Sequence, residues 1–530
     1  MNLFDRFEQN AHAHPGKPAF IYFDKRNWKT LTYGEILDQT QRFLRGLETG
    51  PLTPGLTAAL LTPPSADFFP FALALLKFGI VPILVEPAIG FKKIREIYEE
   101  SRPDIFVGNG LTHALRILFG WGRKSVKYGL SIANMESGKW KAVHQLLPTP
   151  RREASPAAII YTSGSTGLPK GAVYTQANLA AQIELLKNTF QITPDEIDLP
   201  AFPLYALIDL LLGVTSVIPD ITFPVPGKTD PAKVISAIQK FNVTNMFASP
   251  VVLDLLSSFA ENNHSSSQSI LLSSLKRIIT AGAPATIDLQ KRFRCLLSDH
   301  TDLFGIYGAT ETLPIAKVES REVFSLEEKT LNGAGICLGK PIEGVTVRII
   351  PITDEPISEW QDSLTVESNV VGEIAVHSGA TTREYLNRPE SNRVAKIASG
   401  AEIIHRMGDV GYFDEDGRLW YCGRKSQRVQ TKDGMLFTEQ IENIFNAHPQ
   451  VHRTALVGMD GEPVLWVELK SRLPKSLKTS EVLDELKTLA AHHPQASRIQ
   501  TFLFLKKFPT DVRHNSKIIR EKLTELATVH

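Results

Sequence analysis

Cysteine is scarce in this sequence. Cys295, Cys337 and Cys422 are the only three in 530 residues. They are too few and too scattered for a disulfide framework or a zinc site, so a reducing, cytoplasmic setting is expected. An excess of either charge is missing too. With 58 lysines and arginines against 57 aspartates and glutamates, no overall basic field gathers nucleic acid. The opening MNLFDRFEQNAHAHPGKP lacks the apolar run of a signal peptide, so no secretory leader is expected there. The longest apolar stretch, FFPFALALLKFGIVPILV (68–85), is broken by Pro70, Lys77, Gly79 and Pro82. It predicts a buried helix followed by a buried strand, not a transmembrane segment. No internal repeat is visible.

What is present is an ordinary globular composition, 43% hydrophobic and 22% charged. The chain is too long for one core, so at least two domains are expected. From about residue 57, short apolar strands alternate with helical patterns. PAAIIY (156–161) precedes a helix near Asn178, and VTNMFASP (243–250) precedes VVLDLLSSF (251–259). LKRIIT (275–280) turns at AGAP (281–284) into a helix from Thr286. This alternation predicts an α/β architecture with buried, largely parallel sheets. Ligand sites in such folds lie on loops at the carboxyl ends of strands. ALRILFGWGRKSVK (114–127) mixes large apolar residues with Arg and Lys; a packed helix is expected, with a membrane-surface patch as the alternative. Segments 261–274 and 351–370 are expected to be solvated connections. After Gly423 and Arg424 the pattern changes to a strand around Val429, a turn at Asp433 and Gly434, a helix from Thr438 and the strand TALVG (454–458). Thr438 is expected to cap that helix, with Glu439 and Glu442 near its positive end. The domain boundary is therefore set at 424, dividing 1–424 from 425–530.

One loop stands out. IIYTSGSTGLPKG (159–171) runs from a buried strand into small, hydroxylated and glycine positions. Backbone amides freed by glycine, the hydroxyls of Thr162, Ser163, Ser165 and Thr166, and the Lys170 cation suit a polyphosphate. It is not a Walker loop, because Pro169, Lys170 and Gly171 stand where Gly-Lys-Ser/Thr is required, and GxGxxG is absent. A flexible Ser/Gly linker is the plainer alternative, and the strand leading in and helix leading out argue against it.

TSGSTGLPKG (162–171) resembles the phosphate loop of the acyl-adenylate-forming superfamily, which includes acyl-CoA synthetases, peptide-synthetase adenylation domains and firefly luciferase. YGATET (307–312) is similar to its aromatic-Gly-x-Thr-Glu motif. Gly408 and Asp409, then GYF (411–413), then Gly423 and Arg424 resemble its ribose-binding and hinge segments, and AGAP its adenine-side loop. The resemblance implies a large N-terminal domain of stacked, mostly parallel α/β sheets with a β-barrel-like subdomain, and a small mobile α+β C-terminal domain. It implies nucleotide contacts from Thr162, Ser163, Gly164, Ser165, Thr166, Gly167 and Lys170. Further contacts are implied from Gly282, Ala283, Pro284, Tyr307, Gly308, Ala309, Thr310, Asp409 and Arg424. Thr166 and Glu311 would hold Mg2+ against the phosphates of ATP, Tyr307 would lie beside the adenine, and Asp409 would accept from the ribose hydroxyls. The adenylation lysine implied is Lys517, in FPTDVRHNSKIIR (508–520). Two extra residues follow Pro509, and Ser516 replaces the glycine of the family's Pro-x-x-x-x-Gly-Lys. Lys517, with Lys170, Glu311 and Thr166, makes up the implied catalytic set. Its charge would balance the α-phosphate as pyrophosphate leaves. Lys506 and Lys507 are expected to be solvated strand-end charges.

Departures from that pattern narrow the function. Tyr205, in FPLYAL (202–207), stands where many members have a histidine gating the acyl or thiol tunnel; Phe202 and Tyr205 are the acyl-pocket candidates. At the hinge, the position two after Arg424, usually Asp or Lys, is Ser426, with Lys425 beside it, and the glycine expected nine after Arg424 is Asp433, with Gly434 one later. These changes argue against a thiol path and leave adenylation untouched. DLPAFPLYALID (198–209), TSVIPD (215–220), RMGDVGYF (406–413), GRLWYCGRK (417–425), TALVG and RHNSK (513–517) resemble the β-lactone synthetases of bacterial long-chain olefin biosynthesis. That likeness implies ATP- and Mg2+-dependent activation of a 2-alkyl-3-hydroxy fatty acid, closed to a β-lactone without CoA. It also implies association with other enzymes of that pathway. The alternatives are a medium- or long-chain acyl-CoA ligase that does use CoA, and a non-catalytic nucleotide- or acyl-binding protein.

Overall fold

The computed structural model describes residues 3–24, 27–63, 65–135, 141–142, 156–161, 168–222, 226–263, 271–470, 478–510 and 518–527. Packing divides the chain into two units. The first comprises Met1–Leu303, Gly308–Pro314 and Ser378–Lys396; the second comprises Phe304–Tyr307, Ile315–His377 and Ile397–His530.

Short, wholly apolar strands in the first unit form parallel pairs buried on both faces. One sheet of seven strands runs in the order Lys141–Ala142, Tyr128–Leu130, Ile105–Gly108, Thr57–Leu61, Val81–Leu84, Ala158–Tyr161 and Gly171–Tyr174. Its two edge strands are antiparallel to their neighbours and the five between them parallel. A second layer runs Arg277–Thr280, Asn245–Ala248, Ile197–Pro200, Thr215–Ile218, Pro18–Asp24 and Asn27–Thr32, parallel up to the last hairpin. Helices Leu3–Ala13, Tyr33–Glu48 and Phe68–Phe78 share one core with both layers, where Phe7, Tyr33, Phe43 and Phe71 meet Phe20, Leu60 and Ile105. The apolar stretch from Phe68 is thus the expected helix and strand. Gly79, at φ 84°, ends the helix in a left-handed turn that costs glycine little. The helix predicted near Asn178 begins at Gln176, capped by Thr175, whose hydroxyl accepts from the Asn178 amide at 3.1 Å.

The second unit holds an antiparallel sheet in the order Thr346–Ile350, Gly372–His377, Glu402–Phe413, Leu419–Arg424 and Ile336–Pro341. The β-barrel-like subdomain expected here is an open sheet: among the described residues Thr346–Ile350 pairs with Gly372–His377 alone, so no barrel closes. A small α+β part follows. Strands Val451–Met459, Glu462–Leu469 and Thr501–Phe504 pack their apolar residues against helices Thr438–Asn446 and Thr479–Ala491. Lys506 and Lys507 are exposed just beyond the last strand.

Thr438 does not cap its helix. Phe437 occupies the cap position without a side-chain bond, and Thr438 is the first helical residue. Its hydroxyl is turned to Gly423, where a Cβ would lie only 2.2 Å from it. Glu442 likewise points away from the helix start. Its carboxylate takes two bonds from the Arg520 guanidinium, at 2.6 and 3.0 Å, and one from the Leu456 amide at 2.8 Å.

The acidic connection 351–370 is tied into the sheet. Arg406, 3% exposed, sets its guanidinium 2.6 Å from the Glu373 carboxylate and donates to the carbonyls of Thr353 and Glu355. Lys425 reaches the same carboxylate at 3.1 Å and the same Thr353 carbonyl at 2.9 Å. Removing one member of a buried ion pair strands the other charge. Glu373→Gln is expected to lower stability by about 3–5 kcal/mol, read as a fall in the urea midpoint at unchanged m-value.

Candidate active site

Lys170 lies directly before the edge strand Gly171–Tyr174. A second segment pairs with that strand: Ala172 faces Tyr385 in an antiparallel bridge, the Leu386 amide donates to the Gly171 carbonyl at 2.8 Å and the Val173 amide to the Glu384 carbonyl at 3.1 Å. This pairing sets the Tyr385 ring beside Lys170, whose Nζ is 5.1 Å from the ring centroid. The Tyr385 hydroxyl donates to Glu311 Oε1 at 2.7 Å. The Glu311 backbone carbonyl accepts from the Thr382 amide at 2.8 Å and from its hydroxyl at 3.1 Å, and the Tyr174 hydroxyl donates to the Thr310 carbonyl. Lys396 completes the group. Its buried Nζ donates to the Thr382 carbonyl at 2.5 Å and lies 5.4 Å from the Tyr385 ring centroid. Burial lowers the Lys170 pKa against the pull of Glu311. The same opposition leaves Lys396 lowered to about 7.

Sequence reasoning found Lys170 and Glu311 and missed Tyr385, Thr382 and Lys396. No spacing rule joins them; Tyr385 meets Glu311 across 74 positions of chain. Gly282, Ala283 and Pro284 fill the loop after the strand Arg277–Thr280, and Gly282, exposed at φ 95°, supplies a left-handed turn. Tyr205 stacks on Phe247, centroids 4.2 Å apart and planes within 7°, while Phe202 remains exposed. Their loop follows Ile197–Pro200 and that of Gly282 follows Arg277–Thr280, the parallel strands on either side of Asn245–Ala248, so both leave the carboxyl end of the sheet.

In the second unit, Asp409 and Arg424 are register partners on adjacent strands. The Arg424 guanidinium is 3.0 Å from one Asp409 oxygen, and the Tyr307 hydroxyl donates to the other at 2.7 Å. Burial, then the Asp409 charge, drives the Tyr307 phenol well above its usual range. Lys425 and Ser426 open a short 3-10 turn, Lys425–Gln427. Asp433 and Gly434 join the hairpin Val429–Thr431 and Gly434–Leu436, with the positive φ, 113°, at Gly434. The glycine requirement has thus moved by one residue. Thr162, Ser163, Gly164, Ser165, Thr166 and Gly167 lie outside the described residues, as does Lys517.

A cluster of lysine, carboxylate and phenol is suited to binding and orienting charge. The sequence matches the AMP-binding enzyme family over residues 7–386. The chain belongs to this family. The enzyme is 40% identical to the olefin β-lactone synthetase of Xanthomonas campestris over 93% of its own length and 90% of that protein's. It is 39% identical to the one from Stenotrophomonas maltophilia over 94% and 91%. Among solved structures, it is similar in fold to O-succinylbenzoate Coenzyme A synthetase from Bacillus subtilis in complex with AMP. The TM-score is 0.76 at 21% identity, covering 99% of this chain and 98% of that one.

Behind Tyr205 the enzyme buries two carboxyls. Asp198 and Asp209 influence each other's titration, and Ser216 donates to Asp209 at 2.6 Å. Burial raises the pKa of both above the usual 3.8. A raised folded-state value means stability that is complete below the unfolded value and is lost as pH rises through the folded one. The melting temperature of the wild type should therefore fall between about pH 4 and pH 7 more steeply than that of Asp198→Asn. Equal slopes would show that the pair does not titrate in the fold.

Tyr385→Phe keeps the ring and removes the bond that fixes Glu311. Adenylation should drop by about 10–100-fold, the usual cost of losing such a supporting contact. Pyrophosphate release at graded Mg2+ and ATP checks it, with unchanged circular dichroism.

Proposed function

We propose that the enzyme activates the carboxylate of a long-chain 2-alkyl-3-hydroxy acid with ATP and closes the acyl-AMP to a β-lactone. The likeness to olefin β-lactone synthetases along nearly the whole chain carries this reading. In the first step the carboxylate oxygen attacks the α-phosphorus and the bond to pyrophosphate breaks. In the second, the substrate's own β-hydroxyl oxygen attacks the activated carbonyl, the acyl–phosphate bond breaks and AMP leaves with the electron pair; the hydroxyl proton passes to solvent. Nucleophile and electrophile share one molecule, so proximity stands in for a second substrate, and no CoA is required.

The residues divide this work. Lys170, with residues 162–167, cradles the phosphates, and Lys517 balances charge at the α-phosphate. Tyr307, the loop 282–284 and residues 308–310 bound the adenine, while Asp409, oriented by Arg424 and Tyr307, accepts from the ribose. Phe202 and Tyr205 border the acyl chain. Glu311 offers a hard oxygen already oriented by Tyr385, which fits Mg2+; Thr166 and Glu311 would hold that ion, which when bound neutralises phosphate charge. Residues 425–530 act as a body that swings at Lys425 and Ser426. The buried tether of Lys425 to Glu373 supports a fixed pivot there. Enzymes that supply the 3-hydroxy acid and consume the lactone are the fitting associates. Among the described residues no helix is long and apolar enough to cross a membrane.

The test is incubation with a 2-alkyl-3-hydroxy fatty acid, ATP and Mg2+ in the absence of CoA. Lactone is expected by NMR, with AMP in equal amount. Product that forms only with CoA would overturn the reading in favour of a ligase. Lys517→Ala should slow pyrophosphate release by about 10²–10³-fold, the cost of one preorganised charge contact.

A further inference from the structure

At 100° per residue, the helix Gly110–Phe119 puts Thr112, His113 and Arg116 on one side and Leu111, Ala114, Ile117 and Leu118 on the other. A helix on a soluble protein turns its apolar side inward. This one does so only with Leu115 and Phe119, which pack on the core. Arg116 lies over the Phe106 ring at 5.7 Å, and His113 Nε2 is 2.9 Å from the Leu130 carbonyl, so the polar side faces the sheet. Leu111, Ile117 and Leu118 are 68, 73 and 74% exposed, and no residue of the helix is fully buried. The helix is nonetheless well anchored. Asn109 caps it in a reciprocal bond with Thr112, and Phe119 packs on Phe91 and Trp121 at 4.8 and 5.8 Å. A helix fixed in that way holds Leu111, Ile117 and Leu118 outward.

Basic residues border the row. Phe91, itself 46% exposed, is followed by Lys92 and Lys93; Trp121, whose indole donates to the Phe91 carbonyl at 3.1 Å, is followed by Arg123 and Lys124. All four basic side chains are exposed. Nearby Arg95 is matched by Glu99 at 2.9 Å, leaving four positive charges against Glu96. The chain as a whole carries +1, so this excess is local.

We propose that this face seats the enzyme on an anionic lipid surface. The four apolar side chains enter the boundary between headgroups and acyl chains, and Lys92, Lys93, Arg123 and Lys124 meet the lipid phosphates. Apolar burial and charge act together, which gives reversible attachment without a membrane span. Leu111, Ile117 and Leu118 have no part in the proposed catalysis, so docking and chemistry are separable.

The experiment is co-sedimentation of the full-length enzyme, without substrate, with vesicles of equimolar phosphatidylcholine and phosphatidylglycerol, and with phosphatidylcholine alone. Binding to the anionic vesicles is expected, falling as salt rises. Each of Lys92→Gln, Lys93→Gln, Arg123→Gln and Lys124→Gln should weaken it about fivefold. Ile117→Ser with Leu118→Ser should reduce binding to the level of the neutral vesicles while leaving pyrophosphate release from a dissolved acid unchanged. Three results would overturn the proposal: no preference of the wild type for anionic vesicles, serine variants that bind as well as wild type, or serine variants that alter only self-association in sedimentation velocity. The last would assign the face to a protein contact. Because the assay contains neither ATP nor acid, its failure leaves the lactone reading untouched, and the reverse also holds.

Discussion

Ala172 against Tyr385 is a single antiparallel bridge, and the first half of the site hangs on it. It brings a hydroxyl to a buried carboxylate and an aromatic ring to two ammonium groups. Glu311 is 8% exposed, so its charge is costly to bury unless its oxygens are occupied. Tyr385 occupies one of them, and Thr382 holds the peptide that carries it. Lys396, bonded to Thr382, keeps that support from rotating. The aim of the Glu311 carboxylate comes from a segment more than seventy positions away.

Much of the first unit was legible because its signals are local. Apolar runs of four or five residues broken by turn residues give strands, and Thr175 and Thr286 cap helices by a hydroxyl three positions before the amide they bind. Partnerships set by tertiary packing were not legible. Thr438 has the composition of a cap, yet the close approach of Gly423 claims its hydroxyl. The barrel expected from resemblance is an open sheet, since closure depends on pairings between distant strands that no local pattern encodes. The helix Gly110–Phe119 makes the point most sharply. Periodicity identifies an apolar side but cannot say whether that side meets the core.

Charge buried in this protein is arranged by two different rules. Glu373 is matched by Arg406 and Lys425, and Glu442 by Arg520, so each of these carboxylates has cations beside it. Asp209 has Asp198 beside it instead, and burial, then the Asp198 charge, pushes its pKa well up. The first arrangement ties Lys425 and Arg406 to Glu373, and the helix from Arg520 to the helix that carries Glu442. The second sets two acids of raised proton affinity near Tyr205.

Thr510 and Ile518 are bridged, the Ile519 amide donates to the Pro509 carbonyl, and Arg520 is locked to Glu442. The two residues that lengthen this chain between Pro509 and Lys517 therefore fall between fixed posts. By chain statistics, lengthening such a span by two residues costs only a few tenths of a kcal/mol. Lys517 is one peptide bond from Ile518, so its tether is measured from the downstream post and not from the proline. Counting backwards from the arginine that grips the helix gives the steadier mark.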